Sequence, residues 1–463
     1  MLLIPPQGYN RTRMIDPILQ ALADVDPNMP LLPDDRRYED FDAIRGGPLR
    51  SKISKLMRAS EIEDKYAKIA VAGHRGSGKS TELNRVYKDL EGEGYVVLWA
   101  SVNMNLDPKD ISFSDVMRLL VLLIDDKFGP EIGTNPVLKR AFEAVEAWFK
   151  EVTVTLQDDI KSVRANSIDS AIGGKVEAEV EAEIGAILVK GKAKARTELG
   201  KQQAAINILR RSSSNLQTKT NETLERYSGE LVANVNALLR ALPQATRTVF
   251  ILDNVDKYDA KTVNDVFFEN ADLFRDLDSH LVFTVQSSMR NKPVDHSPDQ
   301  AIKTLPLPML PIFQPESRTH NPDVFQHLQG AIEKRVPKSL FADFDQSTRR
   351  AIHASGGCWR DLLRILQDAL LDANTMVEGK DIDNAIIRVA ETYRMLLRDE
   401  QDLDMLAKIH ITHRLMSDER SLYLLHHLCV LAYNGKFWYD IHPLLEDYDL
   451  VKEAISKAKT VKR

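Results

Sequence analysis

The sequence predicts an α/β fold built on a parallel sheet, and three observations predict it. The spacing GxxxxGK[ST] stands at 73–80, between the apolar run 68–72 and a helix-like segment. Two more β-rich runs follow, at 95–102 and 248–252, and helical apolar spacing follows the first of them. The order strand, helix, strand, helix calls for right-handed crossovers, which leave the strands parallel.

Composition sets the outer bounds. At 463 residues, with 43% hydrophobic and 28% charged side chains, the chain has material for several globular cores. A formal net charge of −6 excludes a global field toward nucleic acid or an anionic membrane, so any such contact requires a local patch. Cys358 and Cys429 lie far apart, with no CxxC neighbour and no histidine pair at ligand spacing, and read as reduced core thiols. The amino-terminal apolar run is too short for a signal peptide, and the run 116–124 is too short to span a bilayer. A cytoplasmic protein without membrane contact is the expectation.

Residues 1–35 are rich in Pro, Asp and Asn, which predicts an irregular arm over the surface. Beside it, Arg37 and Tyr38 read either as contacts to a base or as an exposed pair. In the stretch GHRGSGKST, Gly73, Gly76 and Gly78 let the backbone turn tightly. Consecutive N–H groups through His74, Arg75 and Ser77, with the positive end of the next helix, can then surround a triphosphate. Lys79 reaches the β- and γ-phosphates, Ser80 places its hydroxyl on Mg²⁺, and Thr81 opens the helix.

The run 95–102 reads as a buried strand, 113–128 as a helix, and 202–242 as helical with a break at 212–214. The strand 248–252 ends in Asp253. Set next to the strand of the phosphate loop, Asp253 would hold magnesium through water, opposite Ser80. Asn254 follows, and an amide cannot take a proton from an attacking water. Either Asp256 takes that role or turnover is slow and the site works as a switch. A further strand, 281–285, runs into Gln286 and Ser287, which read as sensors of the terminal phosphate or as turn and cap residues. Arg275 reads as an arginine finger toward a neighbouring subunit or as an exposed arginine.

Pro306, Pro308 and Pro311 suit an edge strand and an exit from the sheet. Helical patterns at 323–336, 345–354, 359–373 and 381–397 then form a lid. Arg360, just past Gly356 and Gly357, either swings onto the γ-phosphate or makes a structural ion pair. Earlier in the chain, at 176–197, glutamates and then basic residues occupy alternate positions, which predicts a charge-paired hairpin turning at 186–187, with a helix as the alternative. After residue 402, two helices precede β-like runs around Asn434 and Gly435, a hairpin signal. Helices followed by a hairpin suggest a winged helix. Its recognition helix, SLYLLHHLCVL, is apolar and poor in Lys and Arg, which favours protein contact or internal packing over DNA; Trp438 and His442 read as core or interface residues.

GHRGSGKSTEL, VFILDNVDK, LVFTVQSS and ASGGCWRDLLRIL together resemble the AAA+ and STAND branch of P-loop ATPases, near origin-recognition-like and KAP-like ATPases of archaea and bacteria. The resemblance covers roughly residues 36–397. It implies a five-stranded parallel P-loop NTPase core at 36–313 and a helical lid at 314–397, with a winged-helix-like domain at 398–463 behind it, while the insertion at 167–221 departs from a minimal core. It also implies ATP and Mg²⁺ as ligands. Asn254 stands where the family usually has an acid, which sets slow hydrolysis against a working ATPase. The leading reading is a nucleotide-dependent regulatory switch acting on a protein partner, in stress or antiphage defence by analogy. Alternatives are an origin-recognition-like DNA binder and a scaffold with a degenerate ATP site, with homo-oligomerisation left open.

Overall fold

The computed structural model describes residues 16–106, 111–166, 199, 214–243, 247–291, 301–315, 317–416, 418–433 and 438–461. The charged segment 176–197 lies outside the described residues. Five parallel strands form one sheet: β1 (Lys68–Ala72), β2 (Val96–Ser101), β3 (Thr248–Asp253), β4 (His280–Val285) and β5 (Lys303–Pro306), in the order β2-β3-β4-β1-β5. The inner strands read KIAVA, TVFILD and HLVFTV and are buried along their whole length, as strands covered on both faces must be. β5 pairs with β1 alone and carries Pro306 at the sheet edge, where a missing N–H costs no ladder bond.

Period-two alternation sends the side chains of each strand to two cores. Ile69, Val71, Val249, Ile251 and Val282 face the helices Leu49–Ile62 and Lys79–Gly92. Ala70, Leu98, Phe250, Leu252 and Phe283 face the helices Phe113–Thr134, Pro136–Asn166 and Ser214–Arg240. Burying each of Phe250 and Phe283 contributes about 1.5–3 kcal/mol. The result is a three-layer α/β unit with the carboxyl ends of β1, β3 and β4 along one rim.

Two expectations need correction. β3 is not next to β1, because β4 lies between them, with Val71 beside Thr284 on one side and Ile251 beside Val282 on the other. Chain order specifies that the strands are parallel but not which crossover skips a place. The arm is not irregular throughout either. Asp16 accepts from the N–H of Ile18 at 2.9 Å, and with Pro17 at the first position it starts the helix Pro17–Asp24. That helix buries Ala21 against the helices beyond the sheet. Residues 26–47 that follow carry no helix or strand.

Past the sheet come the helices Pro322–Glu333, Phe344–Ser355, Trp359–Asp372 and Gly379–Arg394. Asp343 caps the second, and Gly356, at φ 61°, ends it in the left-handed region that glycine tolerates. The chain continues through Glu400–Thr412, Glu419–His426, an antiparallel pair β6 (Val430–Ala432) and β7 (Tyr439–Ile441), and a last helix Asp449–Val461. Leu328, Ile352, Leu366, Ile382, Leu406, Leu424, Leu431 and Leu445 belong to one hydrophobic cluster, so the lid helices and the carboxy-terminal elements share a core. The turn Asn434-Gly435 lies outside the described residues, but the flanking strands pair with Ala432 beside Tyr439. Among the described residues no helix is long and apolar enough to cross a membrane.

Candidate functional site

At the rim where β1 and β3 end, a cavity of about 660 Å³ opens between the sheet, the arm and the lid. Such a volume suits a small-molecule ligand. Its floor is the glycine loop. Gly76 and Gly78 have φ of 81° and 94°, values open to glycine and costly for other residues. Lys79, 5% exposed, directs its ammonium back along the loop, donating to the carbonyls of Gly73 and His74 at 2.8 Å each. The same nitrogen lies 3.0 Å from a carboxylate oxygen of Asp256.

The acids divide the rim between them. Asp253, at the end of β3, accepts from the Ser80 hydroxyl and, at 2.8 Å, from the N–H of Asn254. Burial pushes its carboxyl up, more strongly than those hydrogen bonds and Lys79 pull it down. Burial acts in the same direction on Asp256, but there Lys79 and the Thr284 hydroxyl outweigh it and hold the group below the usual carboxylate range. Asn254 sits at φ 65° and donates from its amide to Ser101 Oγ at 2.7 Å, on the neighbouring β2. Ser80 and Asp253 make a hard oxygen pair of the kind that holds Mg²⁺.

The walls come from distant parts of the chain. The Leu31 N–H donates to Thr81 Oγ1 at 3.2 Å, and Asn84 donates to the Leu31 carbonyl at 2.9 Å, so residues 26–31 are fastened along the loop's helix. Opposite them stand Arg335, Trp359 and Arg360. Arg335, 4% exposed, stacks on Trp359 with 4.8 Å from guanidinium to ring, and burial lowers its pKa to about 10. Arg75 and Arg360 each line the cavity with a buried Nε that has no hydrogen-bond partner. Unpaired cationic donors around a backbone cradle fit a polyanion.

Other parts of the chain also grip the loop. Ser77 O accepts from Arg45 at 2.6 Å, Gly76 O from the N–H of Arg360 at 3.4 Å, and His74 Nε2 from the N–H of Ala432 at 2.8 Å. A Cβ on Gly76 would meet the Arg360 Cβ at 2.6 Å, so the lid helix touches the loop directly. The ring of His74 is 3% exposed, and burial, with help from Lys79, His442 and His426, drives its pKa down to about 3. No family model matches the chain, and no curated protein matches it.

Of the residues named from sequence, the structure gathers Arg75, Gly76, Gly78, Lys79, Ser80, Thr81, Asp253, Asn254, Asp256 and Arg360 around one cavity. Gly73, His74 and Ser77 are not among the lining residues: the first two take the Lys79 ammonium on their carbonyls, and Ser77 O accepts from Arg45. Ser287 is not among the lining residues, and Gln286 turns away to donate to the carbonyls of Asp256 and Tyr258 and to meet His426 Nδ1 at 2.8 Å. Arg275 is held at the surface by Asp272 and Asp276. Arg37 lines the cavity but is paired with Asp35 and Asp24, while Tyr38 donates to Glu82 beneath the Arg85 guanidinium. Sequence reasoning missed Thr284, Arg45, Arg335 and the wall role of Trp359. Two signals were present: a threonine inside an apolar strand, and a tryptophan directly before Arg360.

Proposed function

We propose that the chain is a P-loop ATPase of AAA+ or STAND character, a regulatory switch that binds ATP with Mg²⁺ and transmits nucleotide state to a protein partner. One observation carries the reading. Lys79, which opens the helix after β1 and the glycine loop, shares a cavity with Asp253 and Asp256, and that cavity is floored by the loop and flanked by Arg75 and Arg360, whose Nε atoms have no hydrogen-bond partner. Phosphates would lie against the loop and Lys79, and the base would lie toward residues 26–31 and the Trp359 wall.

Ser80 and Asp253 would hold the magnesium ion, which when bound neutralises charge on the phosphate oxygens. Asp256, and not the amide of Asn254, is the group that can take a proton from water. Arg360 would answer the terminal phosphate. A diphosphate lacks that contact, so the two nucleotide states differ in free energy at the lid, which is what a switch requires. The shared core of lid and carboxy-terminal elements carries the difference onward, and we read those elements as a winged helix used for protein contact.

Calorimetry tests this reading with the whole chain, ATP or GTP, and magnesium. Binding with micromolar or tighter affinity is expected for the unmodified chain, and no heat of binding for Lys79→Ala that is folded at the assay temperature. Absence of heat with either triphosphate overturns the proposal.

A further inference from the structure

β4 carries a threonine, Thr284, between Phe283 and Val285, and its side chain is fully buried. Its hydroxyl donates to Oδ1 of Asp256 at 2.8 Å, while Oδ2 of the same carboxylate faces Lys79 Nζ at 3.0 Å. The backbone of Asp256 is held too, since its carbonyl accepts from Gln286 Nε2 at 3.2 Å. Both clamping residues come from the end of β4. That strand lies between β1 and β3, so it is the element placed to reach the acid that follows one and the lysine that follows the other.

The two partners of the carboxylate are not equivalent. Lys79 keeps two carbonyl acceptors, those of Gly73 and His74, when its ammonium turns from Asp256 to an arriving polyphosphate. Thr284 is neutral and deeply buried, and a polyanion gives it no reason to move. Resting on the reading of the cavity as a nucleotide site, we propose that Thr284 is the positioning residue of hydrolysis: it holds Asp256 in place while Lys79 passes to the triphosphate, which bares Oδ2 as the base.

The water oxygen then bonds to the γ-phosphorus as the bond from that phosphorus to the β–γ bridging oxygen breaks. The bond's electron pair leaves with ADP. The water's proton passes to Oδ2 of Asp256 and from there to the released phosphate. An ammonium therefore masks the base until a triphosphate is present, which couples hydrolytic competence to occupancy. Asn254, tied to Ser101, takes no part in the transfer.

The experiment uses the whole chain with Mg²⁺, measuring ATP turnover and, separately, affinity for the non-hydrolysable analogue AMP-PNP. Thr284→Val keeps shape and removes the donor. It is expected to lower kcat about tenfold or more, the scale of a mispositioned base, with AMP-PNP affinity within about threefold of the parent. Thr284→Ser, which keeps the hydroxyl, is expected to restore most of kcat. Asp256→Asn should abolish the sensitivity, so that adding Thr284→Val to it costs nothing further. Should Thr284→Val fold poorly, Thr284→Ala takes its place in both the single and the double variant. Unchanged kcat in Thr284→Val, a serine variant as impaired as the valine one, or additive losses overturn the proposal. Binding of AMP-PNP without any turnover in the parent overturns it while leaving the nucleotide reading intact, whereas absence of AMP-PNP binding removes both.

Discussion

The backbone N–H of Ala432 donates to Nε2 of His74 across 2.8 Å, although 358 residues separate the two. With Nε2 accepting, the ring proton sits on Nδ1. The carbonyl of Ala432 is also held, accepting from the N–H of Met309, and the next residue, Tyr433, donates from its hydroxyl to Gly356 O at 2.8 Å. The end of β6 thus ties the glycine loop, the exit from the sheet and the turn before the helix Trp359–Asp372.

His74→Ala leaves a partly buried N–H without an acceptor and is expected to destabilise the fold by about 1–2 kcal/mol. Urea unfolding followed by tryptophan fluorescence measures it. His74→Gln, whose side-chain oxygen can accept in place of the ring, should recover part of the loss, and amide exchange at Ala432 should be faster in the alanine variant.

Acid should begin to weaken the fold below about pH 6.5, through buried histidines. Burial lowers His74 to about 3 and, against the pull of Glu61, lowers His280 to about 4. Both native values lie below the ordinary value near 6.5, so the unfolded chain takes up protons that the native chain refuses. The stability these neutral rings allow is fully present above about pH 6.5 and is lost as pH falls through about 4 and then about 3. Denaturation midpoints should fall between pH 6.5 and 4, with a shallower fall in His74→Gln.

Two glycines should respond to alanine in opposite directions. Gly357, at φ 80°, has the Leu310 carbonyl where a Cβ would stand, so Gly357→Ala should cost about 2 kcal/mol or more. Gly330, inside the helix Pro322–Glu333, has open space at that position, and Gly330→Ala should stabilise by about 0.5–1 kcal/mol. Thermal melts of the two variants test the contrast.

Duplex DNA should not bind through the carboxy-terminal elements. Arg420, on the helix that would read a groove, is held by Asp399 and Asp402, and Ser421, Leu424 and Leu425 of that helix are buried. Fluorescence anisotropy with a labelled duplex at low salt should show no salt-sensitive rise. A binding curve that steepens as salt is removed would contradict this assignment.

Much of the α/β framework is legible in the residues, for reasons specific to each part. KIAVA, TVFILD and HLVFTV read as strands because burial on both faces demands unbroken apolar runs, and the lid helices announce themselves by period. The loop at 73–80 shows its glycines in order. Adjacency is different: nothing in HLVFTV says that it inserts between β1 and β3, so Asp253 was expected one place too close. Thr284 went unnoticed because threonine is an ordinary strand former, and its role appears only when Asp256 is brought beside it. The helix Pro17–Asp24 hid behind the Pro and Asp cluster that follows it. Asp449–Val461 was passed over because no glycine or proline punctuates it.

The contact between His74 and Ala432 also has a meaning for biosynthesis. A chain emerging from the ribosome exposes the glycine loop early, when β4, β5 and the lid are still unmade. The loop gains this neighbour only when residue 432 has left the exit tunnel, so the cradle of a nascent chain stays unfinished until β6 has emerged.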